Sequence, residues 1–245
     1  MKIFPLIFLI ALVFSASCGS SNTSTPDGEN NKSGFDSTSV TMGITPDRDV
    51  TTWKGTLINA VQWKDNNGLN TMIFSGKEAY LMDSEEELRR ADFYAVCYAT
   101  KENVTTKLWE ITDFVDHCYC DCAVSLQMET ITVKDIDGDG VAENLFLYKL
   151  NDRCDASPVA SKLMMHSGAV KLVIRGYTDQ FVGPAEEEMN RFRAEQQLPP
   201  VKYKQTDPAF DQHNPAFKAY ASGFWDQYIK QEEIEFNKQQ SEPRN

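Results

Sequence analysis

The residues with the plainest chemistry stand together at Asp135-Ile136-Asp137-Gly138-Asp139-Gly140-Val141-Ala142-Glu143. Carboxylate oxygens at alternate positions converge when the backbone curls, Gly138 permits the sharp bend, and the Val141 carbonyl can add another hard oxygen. Three aspartates packed in one turn repel each other unless a cation neutralises them. The expected Ca²⁺ ligands are the side chains of Asp135, Asp137, Asp139 and Glu143 and the carbonyl of Val141. The competing reading is a turn solvated by water without metal.

Cysteines form a second chemical group. On an extended strand Cys118, Cys120 and Cys122 project to one face, with His117 and Asp121 on the other. Three thiols on one face can bind zinc or copper or take part in redox exchange, but exported proteins more often oxidise such thiols, and disulfides are expected here. Cys97, Cys118, Cys120, Cys122 and Cys154 are five, so one stays free or is used between molecules. The three histidines, His117, His166 and His213, are dispersed and read as surface or satisfied residues rather than bases. The sequence has no Gly-x-Ser-x-Gly elbow, no phosphate-binding glycine loop and no His-Glu-x-x-His. Carboxylates are abundant, and a glycosidase pair among them would be defined only by its spacing in the fold.

These groups must be positioned by strands. From Trp53 onward apolar and polar residues alternate between turn signals, the pattern of an antiparallel sheet. Residues 53–63 and 70–75 flank a tight hairpin at Asn67-Gly68. Residues 93–100 and 105–115 form a second hairpin around Glu102-Asn103, 122–134 and 144–150 flank the acidic loop, and 161–166 and 169–175 flank Ser167-Gly168. Such short links make a meander of neighbours. Residues 83–90 read as a short helix, since Ser84 and Glu87 have capping-box spacing. The pattern changes near Pro184, where three glutamates precede Arg191 and Arg193 in the order that suits a helix dipole. A last helix follows Asn214-Pro215, and its stripe of Phe217, Tyr220, Ala221, Phe224 and Tyr228 should lie on the sheet. The fold class expected is α+β, mainly an antiparallel β meander with C-terminal helices packed on the sheet.

Composition sets the limits around this body. Of 245 residues, 36 are acidic and 24 basic, giving a formal charge of -12 with no Lys/Arg run, which weighs against nucleic-acid binding. Hydrophobic residues make up 41%, enough for a real core and against wholesale disorder or a multi-span membrane protein. A basic start and the apolar run Phe4 to Phe14, too short for a permanent span, read as a signal peptide over residues 1–17. Residues 18–47, rich in Ser, Thr, Asn, Gly and Asp, read as a flexible tether, and 48–245 as a single domain.

Ser15-Ala16-Ser17-Cys18 resembles the lipobox of bacterial lipoproteins, with Ser15 in place of the usual Leu. The resemblance implies lipidation at Cys18; the plainer alternative is ordinary signal peptidase cleavage with Cys18 left as a thiol. Gly19 follows Cys18 without the Asp that often retains lipoproteins at the inner membrane, so the outer membrane is expected. The acidic loop is unlike an EF-hand, whose twelfth position carries a bidentate Glu, because that position here is Phe146 in an apolar strand. Residues 133–147 resemble the calcium loop of FG-GAP and VCBS propeller repeats, with Glu143 at its ninth place. One full copy does not make a propeller. Trp63-Lys64-Asp65-Asn66-Asn67-Gly68-Leu69-Asn70 is a shorter echo lacking the three acids, read as a plain hairpin.

Several motifs together resemble a group of Bacteroidota lipoproteins labelled as surface polysaccharide biosynthesis proteins: Trp63-x-Asp65-x-x-Gly68-x-Asn70, Cys118-x-x-Asp121, and Cys154-Asp155-Ala156-Ser157-Pro158 followed by Lys162-Leu163. That group's Cys-x-x-Asp pattern implies a Cys118–Cys154 disulfide, although strand register about the acidic loop favours Cys122 as the partner of Cys154. The resemblance implies a lipid-anchored envelope protein, with the membrane and a glycan or envelope protein as partners. The functional expectation is a noncatalytic, Ca²⁺-stabilised binding or organising module linked to surface glycan. The alternative is a carbohydrate-active hydrolase or transferase using paired carboxylates.

Overall fold

A computed structural model describes residues 34–83, 87–154, 158–178 and 186–241. Ten strands run in chain order: β1 (Asp36–Met42), β2 (Thr56–Asp65), β3 (Gly68–Asp83), β4 (Leu88–Lys101), β5 (Val104–Cys118), β6 (Ala123–Lys134), β7 (Glu143–Asn151), β8 (Ala160–Ser167), β9 (Val170–Tyr177) and β10 (Lys204–Thr206). They form two antiparallel five-stranded sheets, β1-β2-β3-β4-β5 and β10-β9-β8-β7-β6. The meander read from the sequence is present, divided in two where the chain crosses between sheets after Cys118.

Local chemistry fixes the hairpins. Glu102 and Asn103 both adopt positive φ, at 51° and 63°, the twist a two-residue turn needs between Lys101 and its partner Val104. In the β2–β3 hairpin the turn sits one residue earlier than Asn67-Gly68. Asp65 pairs with Gly68, and the Asp65 carboxylate accepts the Asn67 amide at 2.7 Å, which selects Asn66-Asn67 as the corner. Gly68 then opens β3 at a φ of 106°, where a Cβ would come within 2.3 Å of the Thr100 carbonyl oxygen.

The two sheets face each other across one core. Val61, Trp63, Met72, Phe74, Phe93, Ala95 and Trp109 of the first sheet meet Ile131, Phe146, Tyr148, Met164 and Val173 of the second. Intervening residues of the second sheet, Leu145, Leu147, Leu163, Met165, Leu172 and Ile174, point the other way and meet the C-terminal helix α2 (Pro215–Ser241). Period-two alternation therefore appears as unbroken apolar runs in β7 and β8, because the sheet is covered on both faces. Helix α2 presents Phe217, Ala221, Trp225 and Tyr228 to this layer, with Tyr220 and Phe224 half-buried beside them. Trp225, fully buried, is the stripe member that the helical spacing read from the sequence left out. A shorter helix, α1 (Glu186–Glu195), buries Arg193, which donates to the Pro199 carbonyl and the Tyr177 hydroxyl at 2.6 and 2.8 Å. No helix among the described residues is long and apolar enough to cross a membrane.

Two expectations change. Residues 36–42, assigned to the flexible tether, form edge strand β1 against β2, with Thr41 opposite Gln62 and Met42 opposite Val61. An edge strand needs little apolar surface, so its composition resembles a tether while Asp36, Thr41 and Met42 still pair with β2. The short helix over 83–90 is also not found: Leu88 to Arg90 belong to β4, with Leu88 opposite Asp83 and Arg89 opposite Leu81, while Ser84 of the supposed capping box lies outside the described residues. Long-range strand pairing outweighs a local capping signal here.

Candidate metal centre

The acidic loop joins β6 to β7, with Lys134 opposite Glu143 at its base. Its curl is built from its own carboxylates. Asp135 accepts the Gly138 and Gly140 amides at 2.8 and 3.1 Å, Asp137 accepts the Asp139 amide at 3.3 Å, and Asp139 accepts the Val141 amide at 2.7 Å. Gly138 and Gly140 take positive φ of 80° and 85°. At Gly140 the need is also steric, since a Cβ would lie 2.1 Å from Asn66 Nδ2.

Asp135, Asp137 and Glu143 converge, each offering an oxygen within 4.8 Å of the others. Glu143 is at the back, 1% exposed, and Asp137 is the most open of the three. Asp139 is exposed and stands beside this trio rather than in it; Val141 is half-buried in the same loop. Glu143 Oε2 accepts the Ile136 amide at 2.8 Å, while Oε1 is buried without a hydrogen-bond partner. Burial pushes the Glu143 carboxyl up to about 7, with the charges of Asp137 and Asp139 adding to the rise and the Ile136 amide opposing it. Such a carboxylate is costly alone and well suited to a divalent cation held by hard oxygens.

The sequence echo at Asp65-Asn66 is more than a plain hairpin. Its corner grips the acidic loop: the Asn66 amide donates to the Gly140 carbonyl at 2.9 Å, Asn66 Nδ2 to the Asp139 carbonyl at 3.1 Å, and the Ala142 amide to Asp65 Oδ2 at 3.1 Å. Asp65 Oδ2 also accepts the Trp63 indole N–H at 2.9 Å. The loop of the second sheet is thus framed by the first sheet, and Asn214, just before α2, reaches Asp137 at 3.4 Å. The signal for this partnership was the repeated Asp-x-x-Gly lettering, but lettering does not say that two turns meet.

The cysteines pair differently from the expected Cys118–Cys154 bond. Cys118 bonds Cys122, with Cα atoms 5.5 Å apart, and Cys120 bonds Cys154, at 5.0 Å. Cys118 is the last residue of β5 and pairs with Arg89, so it is committed to the first sheet, whereas Ala123 pairs with Asn151 in the second. The intervening turn is held by Arg89, whose guanidinium donates to the Tyr119 and Cys120 carbonyls. This turn, not an extended strand, brings Cys122 back to Cys118 and leaves Cys120 to reach the segment just beyond β7. Cys97 is buried and reduced, with burial pushing its thiol far up. Cys18 lies outside the described residues.

The histidines do not gather. His117 and His213 are exposed, and His166 is buried against Trp109, ring centroids 3.8 Å apart and nearly parallel. Compared with known protein families, with curated proteins and with solved structures, the chain has no match.

Proposed function

We propose that the protein is an exported, lipid-anchored component of the cell envelope that acts without catalysis, as a Ca²⁺-stabilised module binding or organising surface glycan or an envelope protein. The observation that carries this reading is Glu143, a buried carboxylate with one oxygen unpartnered, aimed with Asp135 and Asp137 at a common point. A cation there gives Oε1 a partner, offsets the repulsion among the acids and steadies the junction between the sheets. The anchor and the outer-membrane location rest on Ser15-Ala16-Ser17-Cys18 and Gly19, and the glycan link on the resemblance to the Bacteroidota lipoprotein group.

Two concavities bear on the carbohydrate-active alternative. A groove of about 560 Å³ carries Glu78 and Asp92 but no aromatic ring, and Asp92 is held by Arg90 Nε at 2.7 Å and the Tyr80 hydroxyl at 3.0 Å. A cavity of about 140 Å³ has the rings of Trp53, Tyr94 and Tyr98 with Glu110 as its one carboxylate, bonded by Lys107 at 2.7 Å. Neither combines two available carboxylates with a ring-lined cleft, so the noncatalytic reading is preferred.

Calorimetric titration of the metal-stripped chain with CaCl₂ should give binding heat and a raised melting temperature; no heat and an unchanged melting temperature would refute the calcium part. Cell fractionation tests the anchor. Wild-type protein should be in the membrane fraction, and Cys18→Ala should move it to the soluble periplasm. Soluble wild-type protein with no acyl group on its N-terminal cysteine by mass spectrometry would refute lipidation.

A further inference from the structure

The convergent trio is a partial shell. Ca²⁺ takes six to eight oxygens, whereas the side chains brought together are Asp135, Asp137 and Glu143. Glu143 closes the buried side, and Asp137 and the exposed Asp139 lie toward solvent. Asp139 has turned one oxygen to the Val141 amide at 2.7 Å and is outside the converging set. Three side chains leave further positions around a cation to other oxygens, the Val141 carbonyl of the same loop and ligands from outside it.

We infer that a Ca²⁺ held by Asp135, Asp137 and Glu143 is itself a ligand-binding centre, whose outward positions take a vicinal pair of hydroxyls from a neutral saccharide. This rests on the calcium reading above and names the ligand class for that same site.

Charge decides among possible ligands. Three carboxylates outweigh one divalent cation, Asp139 adds a further negative charge beside them, and the whole chain carries a formal charge of -12. A phosphate or uronate approaching this centre meets net repulsion. A sugar hydroxyl does not. It is a hard, neutral oxygen that can give a lone pair to the cation while donating its proton to a neighbouring carboxylate. Asp139 can take that acceptor role, because it is exposed and the hydrogen bond of its backbone amide to Asp137 at 3.3 Å keeps it beside the trio. Adjacent hydroxyls on a sugar ring can fill two neighbouring positions at once, which favours a diol over water by avoiding the ordering of two separate ligands. The frame is fixed beforehand: Asn66 holds the Asp139 and Gly140 carbonyls, and Asn214 reaches Asp137.

The experiment uses the full chain. Titration of metal-stripped protein with CaCl₂ alone comes first, and absence of heat there overturns the calcium reading and this inference together. On Ca²⁺-saturated protein, methyl α-mannoside, methyl β-galactoside and a neutral mannan are then titrated, with glucuronate as the anionic rival. Mannan and at least one neutral glycoside should bind, be released by EDTA and bind again when Ca²⁺ is restored, and glucuronate should bind more weakly. Asp139→Asn, measured at a Ca²⁺ concentration that saturates the variant, should weaken saccharide binding by roughly tenfold or more, the scale of a lost hydrogen bond to a charged group. Ca²⁺ heat without binding of any neutral probe overturns the inference and leaves the calcium reading standing. So does binding that survives EDTA, tighter binding of glucuronate, or saccharide affinity unchanged in Asp139→Asn.

Discussion

Asp65 accepts the Ala142 amide at 3.1 Å across a sequence separation of 77 residues, tying a hairpin of the first sheet to the acidic loop of the second. The same oxygen holds the Trp63 indole N–H at 2.9 Å, inside the core shared by the sheets. Replacing Asp65 with Ala leaves both buried donors without a partner. The expected cost is about 1–3 kcal/mol for each donor left unsatisfied, read as a lower urea midpoint. Ca²⁺ affinity should fall as well, because the loop loses its frame. A variant with wild-type stability and wild-type Ca²⁺ affinity would show that the contact fixes nothing.

Glu143→Gln separates the cost of a buried charge from the benefit of a cation. The amide keeps an acceptor for the Ile136 amide and carries no charge, so in EDTA at about pH 8 the variant should be at least as stable as wild type. With Ca²⁺ a hundredfold above its dissociation constant, wild type should gain about 2.7 kcal/mol and the variant much less. Equal Ca²⁺ responses in thermal melts would remove Glu143 from the ligand set.

The two disulfides close chains of very different length, with sequence separations of 34 for Cys120–Cys154 and 4 for Cys118–Cys122. In the chain-entropy model the long closure stabilises by roughly 4 kcal/mol and the short one by roughly 2 kcal/mol. Cys154→Ser with Cys120→Ser should therefore lower the denaturant midpoint about twice as much as Cys118→Ser with Cys122→Ser. Nonreducing peptide mapping that joins Cys154 to Cys118 or Cys122 would contradict the pairing directly.

What was legible in the sequence was whatever is decided within a few residues. The hairpin at Glu102-Asn103, the curl of Asp135 to Glu143 and the apolar stripe of α2 are local, and they are found. What needed the third dimension was misplaced or missed. Strand β1 exists because β2 offers it an edge, and Leu88 to Arg90 are strand because β3 lies alongside. The disulfides depend on where the chain leaves the first sheet, which alternation along 118–122 cannot reveal. At the acidic loop the carboxylates could be read, but not that Asp65 and Asn66 hold it or that Asp139 is outside the converging set of Asp135, Asp137 and Glu143.

His166 makes acid stability measurable. It is 1% exposed, stacked between the sheets on Trp109, and its Nδ1 has no hydrogen-bond partner. Burial pulls its pKa down to about 3, with the positive charge of Lys171 adding a smaller push. In the unfolded chain the group titrates near 6.5. Between those values the unfolded state binds a proton that the folded state refuses, so the folded state is fully favoured above about pH 6.5 and loses stability as pH falls toward 3. At about pH 4.5 the loss from this residue is about 2–3 kcal/mol. Glu143, with its pKa raised, pulls in the opposite direction in metal-free protein, so the comparison belongs in the Glu143→Gln background. There, unfolding free energies at about pH 7.5 and 4.5 should differ by 2–3 kcal/mol more, roughly, with His166 present than in His166→Phe, whose ring can keep the stack on Trp109 without titrating. The same pH dependence in both proteins would mean that His166 takes up its proton in the folded state.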